Sequence, residues 1–207
     1  MEQAWIATGL RQVVICGAGM APLGLEWRSR HEHADVFDLD RDDLAVKRRL
    51  VQETQGGLDD GLHFVAADLA DAEQTRHRLR SAGWNIEQPT LVVVEGVSYY
   101  LSAGELERLL GVFACAGNSQ AVVELLLPAW RVAPGRRDIP ERVFDRIGRT
   151  CDLPAPTRME SADLARRVRG TLLDTFSMAQ LQRLRGADRD VFPTTDSGWI
   201  ELGLIGI

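Results

Sequence analysis

The chain has little with which to build a metal centre, a disulfide framework or a membrane span. Its three cysteines, Cys16, Cys115 and Cys151, lie far apart and lack ligand spacing. They read as reduced thiols, at least two of them core packing, and no metal is expected. The histidines are no better organised: His31 and His33 sit in a charged His-Glu-His stretch, and neither they nor His63 and His77 suggest a Ser-His-Asp arrangement. No apolar run approaches the length of about 18 residues that a membrane helix needs. The opening Met-Glu-Gln-Ala-Trp has neither a basic end nor an apolar core, so a cytoplasmic protein without a membrane partner is expected. Basic charge is in deficit too, with 24 Lys and Arg against 30 Asp and Glu for a net charge of −6. A nucleic-acid partner would need a clustered basic surface and is not expected. The arginines between Arg131 and Arg149 have acids among them and read as a solvated face.

What the chain does have is a series of short apolar runs, rich in β-branched residues and separated by stretches long enough for a helix. Strands are predicted at about residues 12–16, 35–39, 62–66, 90–95 and 120–127 with helices between them, an α/β arrangement of mostly parallel strands in a doubly wound, Rossmann-like sheet. A helix over 42–54 has an acidic first turn, Asp42 and Asp43, then Lys47, Arg48 and Arg49, the polarity its dipole favours, and stops at Gly56-Gly57. Further helices are expected over 71–82, 138–148 and 160–169. Ser102 with Glu105, and Ser177 with Gln180, have capping-box spacing. After the first pair, Leu106, Leu109, Leu110 and Phe113 share one helical face. The last thirty or so residues read as an antiparallel hairpin, Arg189–Thr194 and Gly198–Ile207 joined by Thr195-Asp196-Ser197. With 45% hydrophobic residues in 207, one large core is possible, so residues 1–207 read as a single domain in which 128–170 covers the substrate side.

Four strand ends carry glycine or an acid. Gly17-Ala18-Gly19 follows the first strand, Asp40 the second, Asp68 the third and Glu95 the fourth. Ligands bind beyond the carboxyl ends of such strands, so four adjacent polar ends point to a nucleotide-type site.

A parallel sheet finishing in an antiparallel hairpin resembles the class I S-adenosyl-L-methionine-dependent methyltransferases. More narrowly, Val13-Val14-Ile15-Cys16-Gly17-Ala18-Gly19, Val36-Phe37-Asp38-Leu39-Asp40, Lys47, Ala67-Asp68-Leu69 and Leu91-Val92-Val93-Val94-Glu95-Gly96-Val97-Ser98-Tyr99-Tyr100-Leu101 together resemble the leucine carboxyl methyltransferase family. The resemblance implies S-adenosyl-L-methionine as cofactor, with Gly17, Ala18 and Gly19 beside its methionine part. Asp40 would accept from the ribose hydroxyls, although Asp38, two residues earlier on the same strand face, is an open alternative. Asp68 would take the adenine amino group, with the Leu69 backbone as the neighbouring donor. Glu95 and Gly96 would face the cationic side, and a carboxylate at a buried strand end needs a cation. Tyr100, at the site mouth, would position the acceptor, while Tyr99 is either packing or part of the same catalytic edge. Lys47, which matches a family lysine on the second crossover helix, reads as structural support, either solvated or paired with an acid.

Because no convincing base is visible, O-methylation of a carboxylate or other acidic oxygen on a small molecule is expected, with Tyr100, Glu124 and segment 128–170 left as places where a base could lie. The sequence departs from the family at Ala21 and Leu23, where an Asp and an Arg are usual. The N-terminal arginine that meets the cofactor carboxylate in the family is expected to lack a counterpart, so that either Arg11, Arg28 or another cation substitutes or cofactor affinity is reduced. The opening residues, with Trp5 and Ile6, would form a shortened lid. Two rival classes are an NAD(P)-dependent oxidoreductase, whose third glycine would fall at Pro22, and a non-catalytic cofactor-binding or interaction module.

Overall fold

A computed structural model of the protein describes residues 10–41, 44–57, 59–151, 154–186 and 189–207. The expected lid residues Trp5 and Ile6, and the acidic turn at Asp42 and Asp43, lie outside the described residues.

The five predicted parallel strands form where the apolar runs fall: β1 (Gln12–Cys16), β2 (Asp35–Asp40), β3 (Leu62–Ala66), β4 (Thr90–Val94) and β5 (Gln120–Leu126). With β6 (Thr171–Ser177) and β7 (Ile200–Gly206) they make one seven-stranded sheet in the order β3-β2-β1-β4-β5-β7-β6. The pairs among β1 to β5 are parallel, and β7 runs antiparallel to both β5 and β6. This is the mostly parallel, doubly wound sheet that the sequence predicts.

Helices α1 (Leu23–Arg30), α2 (Ala45–Gln55), α3 (Ala72–Ser81) and α4 (Ala103–Gly111) cross between the parallel strands. Gly56, in the left-handed conformation, ends α2. Both halves of the Ser102–Glu105 capping box form at the start of α4. Leu106, Leu109, Leu110 and Phe113 are then wholly buried, which at about 1.5–3 kcal/mol per side chain makes this face the anchor of its layer.

The alternation of the strands splits the core in two. Val14, Cys16, Phe37, Leu39, Val92, Val94 and Val123 pack with the α4 face on one side of the sheet. Val13, Ile15, Val36, Leu91, Val93 and Val122 pack with Trp27 and Val51 on the other. The second layer is the smaller, and at the carboxyl ends of β4 and β5 it gives way to a cleft.

The C-terminal antiparallel pair is present, but its first strand is not where the sequence suggests. Thr171–Ser177 supplies it, and α7 (Met178–Leu184), started by the Ser177–Gln180 capping box, intervenes before β7. Residues 189–194 form no ladder. The Gln182 side-chain oxygen accepts from the N–H groups of Val191 and Phe192 at 2.8 and 3.0 Å, giving this backbone a side-chain partner in place of a strand. The remaining helices, α5 (Asp138–Cys151) and α6 (Ser161–Arg167), fall where predicted. Of the cysteines only Cys16 is in the core, where burial pushes its thiol up to about 12; Cys115 and Cys151 are exposed, against the expectation that at least two would be buried. Among the described residues no helix is long and apolar enough to cross a membrane, and no group of His, Cys, Asp and Glu could hold a metal ion.

Candidate functional site

The carboxyl ends of β1, β2, β3 and β4 are stitched into one rim. The N–H groups of Gly17 and Ala18 both donate to the Leu39 carbonyl, at 2.8 and 3.0 Å, and Gly19 N–H donates to Oδ2 of Asp40 at 2.8 Å. Ala67 N–H donates to the Asp40 carbonyl at 2.9 Å, tying on the end of β3 where Asp68 follows. Gly17 has φ of +72°, and a Cβ there would lie 2.8 Å from the Val97 side chain. Only glycine satisfies both conditions. The turn is thus pressed against the segment after β4, on the same rim as Glu95.

Asp38 and Asp40, left open by the sequence, have separate fates. Asp38 is fully buried, with the Lys47 Nζ 2.6 Å from its Oδ2, and its Oδ1 lies so close to Gly24 of α1 that a Cβ there would approach to 2.2 Å. It has no exposed surface to offer a ribose, which corrects its candidacy as a cofactor-binding residue. Burial pushes its carboxyl up, and Lys47 opposes that shift. Lys47, itself buried, also donates to the Ala18 carbonyl at 3.4 Å, so the pair forms a prop beneath the glycine turn. Asp40 is half-buried at the rim.

Asp68 is exposed, with Oδ1 accepting from Ala70 N–H at 3.0 Å, and Leu69 turns its side chain into the core. Glu95 is exposed rather than buried, and Gly96 beyond it has φ of +73°. In the sheet register Val94 pairs with Val123, so the next residues, Glu95 and Glu124, stand side by side on the face of Ile15. Burial and the Glu95 charge push the Glu124 carboxyl above its ordinary range, while hydrogen bonds from the Tyr99 hydroxyl and the Gly96 N–H oppose this. Among the described residues neither glutamate has a cation at ion-pair distance.

These two carboxylates lie in the floor of a cleft of about 1200 Å³ that opens between α1 and α7. Gly17 and Ala18 form one edge, Leu23 of α1 one wall, Met178 and Leu181 of α7 the other, and Leu202 of β7 extends the floor. Ala21 and Leu23, where the family usually has an Asp and an Arg, contribute apolar surface to this lining. Asp40 and Asp68 are outside the lining, on the far side of the glycine turn, so the rim and the cleft share Gly17, Ala18 and Glu95.

The two tyrosines pack against each other and against α5. Tyr99 packs edge-on against Tyr100 and against Phe144 of α5, both at 4.9 Å between ring centres, and its hydroxyl reaches Glu124. Tyr100 faces Phe144 at 6.3 Å and lies beside Cys151. Of the proposed substitutes for an N-terminal arginine, Arg28 pairs with Asp59 at 2.7 Å and donates to the Ala34 carbonyl, and Arg11 precedes β1 at the opposite end of the sheet. Neither serves the site. The α7 wall was missed in the sequence, although the capping box that starts it is legible, because nothing local says which surface a seven-residue helix will face.

Known proteins with related sequences bear on this rim. A protein of Parafrankia sp. (strain EAN1pec) named as an S-adenosyl-L-methionine-dependent methyltransferase is 36% identical over 105 residues, which are 49% of this chain and 32% of that protein. One of Mycobacterium tuberculosis (strain ATCC 25618 / H37Rv) with the same designation is 34% identical over 120 residues, 56% of this chain and 38% of that one. The chain therefore spans about a third of the length of these curated relatives. In three dimensions it superposes on a crystal structure of a methyltransferase from Thermobifida fusca with a TM-score of 0.70 at 20% identity, covering 98% of this chain and 76% of that one; the fold is that of class I methyltransferases. The model of the leucine carboxyl methyltransferase family matches residues 1–114, more than half of the sequence, and the chain belongs to that family.

Proposed function

We propose that the protein is an S-adenosyl-L-methionine-dependent methyltransferase acting on an acidic oxygen, a carboxylate or an acidic hydroxyl, of a small molecule. The observation that carries this reading is the continuous rim from Glu95 through Gly17 and Gly19 to Asp40 and Asp68, bordered by an acidic-floored cleft. The residues present fit the cofactor. Glu95 and Glu124, with no cation at ion-pair distance among the described residues, leave negative charge suited to a sulfonium and an ammonium. When bound, the cofactor supplies a methyl group already activated on positive sulfur.

The chain's own work is to bind and align. Gly17, Ala18 and Gly19 let the backbone approach the ligand, Asp40 accepts from the ribose hydroxyls, Asp68 with the Leu69 N–H holds the adenine edge, and Glu95 with Gly96 faces the cationic end. Alignment of donor and acceptor can be worth roughly 7–11 kcal/mol of barrier. Phe144 braces Tyr99 and Tyr100, and this contact is what supports 128–170 as a cover on the tyrosine side of the domain, outside the cleft lining.

Calorimetric titration with S-adenosylhomocysteine and with NADH tests the reading. Binding of the first alone is expected. Binding of NADH alone would point to a dehydrogenase, and binding of neither to an interaction module.

A further inference from the structure

We propose that Glu124 is the base of this site and that the acceptor is a neutral protic group, a phenol or comparable acidic hydroxyl on an apolar body, rather than a carboxylate. This deepens the methyltransferase reading above and rests on it.

The geometry comes from the register and the cleft. Glu124 stands one residue past the Val94–Val123 pair, beside Glu95, with its side chain in the cleft floor. The carbonyl of Glu124 accepts from buried Ser98, which fixes its backbone, and the Tyr99 hydroxyl and Gly96 N–H favour its charged form. Leu23, Met178, Leu181 and Leu202 give the space above it apolar walls, and the thioether of Met178 is suited to an aromatic ring.

The charges around this space favour one form of acceptor. Glu95 lies beside Glu124, Glu26 of α1 lines the cleft, and the cations in the lining, Arg185 and Arg189, follow α7. An entering carboxylate would place its negative charge directly beside Glu124, away from Arg185 and Arg189 at the α7 end, and like charges brought together across an interface are strongly disfavoured. A hydroxyl instead donates to Glu124. In the transfer the acceptor O–H bond breaks and its proton passes to the Glu124 carboxylate. The electron pair left on oxygen forms the new O–CH3 bond, and the S–CH3 bond of the sulfonium donor breaks with its pair retained by sulfur. Burial and the neighbouring charge, which push Glu124 upward, make it a stronger proton acceptor than an exposed glutamate.

The test uses the intact chain. S-adenosylhomocysteine binding is measured first, and its absence would sink the methyltransferase reading itself. The saturated protein is then titrated calorimetrically with 2-naphthol, neutral near neutral pH, and with 2-naphthoate, which is anionic. Wild type is expected to prefer 2-naphthol by about tenfold or more, a difference of about 1.4 kcal/mol, and Glu124→Gln to narrow that preference to about threefold or less. With S-adenosylmethionine, Glu124→Gln should lower methylation of bound 2-naphthol by about a hundredfold or more, the usual reach of a general base. Equal wild-type affinity for the two probes, an unchanged preference in Glu124→Gln, or wild-type failure to bind or methylate 2-naphthol would each overturn the proposal while leaving cofactor binding intact.

Discussion

Asp38 and Glu124 are carboxylates pushed upward by burial within one sheet, yet their surroundings are opposite. Beneath the glycine turn Asp38 has an ammonium at 2.6 Å and no exposure, and the pair is closed on itself. On the cleft floor Glu124 has a neighbour of its own sign and hydrogen bonds that favour its charged form. A neutralised pair props a turn; an uncompensated pair leaves work for a ligand. The contrast separates structural acids from functional ones better than burial does.

The largest effect should come from breaking the closed pair. Lys47→Met strands Asp38 in the core and should cost about 3–5 kcal/mol, read from chemical denaturation. Replacing both partners by apolar residues should recover most of that loss, because the desolvation penalty goes with the charges. Next is Gly17→Ala, at the turn between the two regions. The left-handed backbone and the Val97 contact together should cost about 2–4 kcal/mol, and S-adenosylhomocysteine binding should fall with stability. Asp40→Ala removes an acceptor from both Gly19 N–H and the proposed ribose position. It should weaken S-adenosylhomocysteine by about 10- to 100-fold, the worth of a hydrogen bond to a charged group. Unchanged affinity would remove Asp40 from the cofactor site.

The rim was legible because a parallel strand delivers its last residue to a known edge, so Gly17, Asp40, Asp68 and Glu95 could be named from run lengths alone. Asp38 could not be separated from Asp40 in that way. Both lie on one strand face, and only the approach of Gly24 and Lys47, which is tertiary, closes over the first. The misread strand at 189–194 has a similar cause: Gln182, from the preceding helix, satisfies N–H groups that alternation alone would assign to a ladder. Glu124 was visible only as one place for a base, since its meaning depends on Glu95 lying beside it in the register and on Tyr99 reaching it. Residues delivered to strand ends are local facts, whereas a cleft assembled from α1, α7 and β7 is not.

Smaller changes sharpen the open pair. If Glu124 governs the charge preference of the cleft, affinity for 2-naphthoate in the S-adenosylhomocysteine complex should fall as pH rises through the Glu124 ionisation. Tyr99→Phe removes a hydrogen bond that stabilises the carboxylate, so the fall should move to higher pH. Glu95→Gln removes a like charge and should move it lower. A Tyr99 that only packs would leave the midpoint unmoved, because phenylalanine preserves the ring contacts with Tyr100 and Phe144.

The smallest expected effect has the most diagnostic sign. Burial and Glu95 raise the folded-state value for Glu124 above its ordinary 4.5, so folding favours the protonated form. That contribution is fully present below the unfolded value and is lost as pH rises through the folded one. Above the folded-state value the wild type carries a charge that its fold disfavours, and there Glu124→Gln, which is never charged, should melt slightly higher. The gap should close as the pH is lowered and the wild-type carboxyl takes up its proton. A structural glutamate would give the reverse, with Gln costing stability at neutral pH. A gain in melting temperature together with a loss of methyl transfer would mark Glu124 as a group retained for chemistry at the expense of the fold.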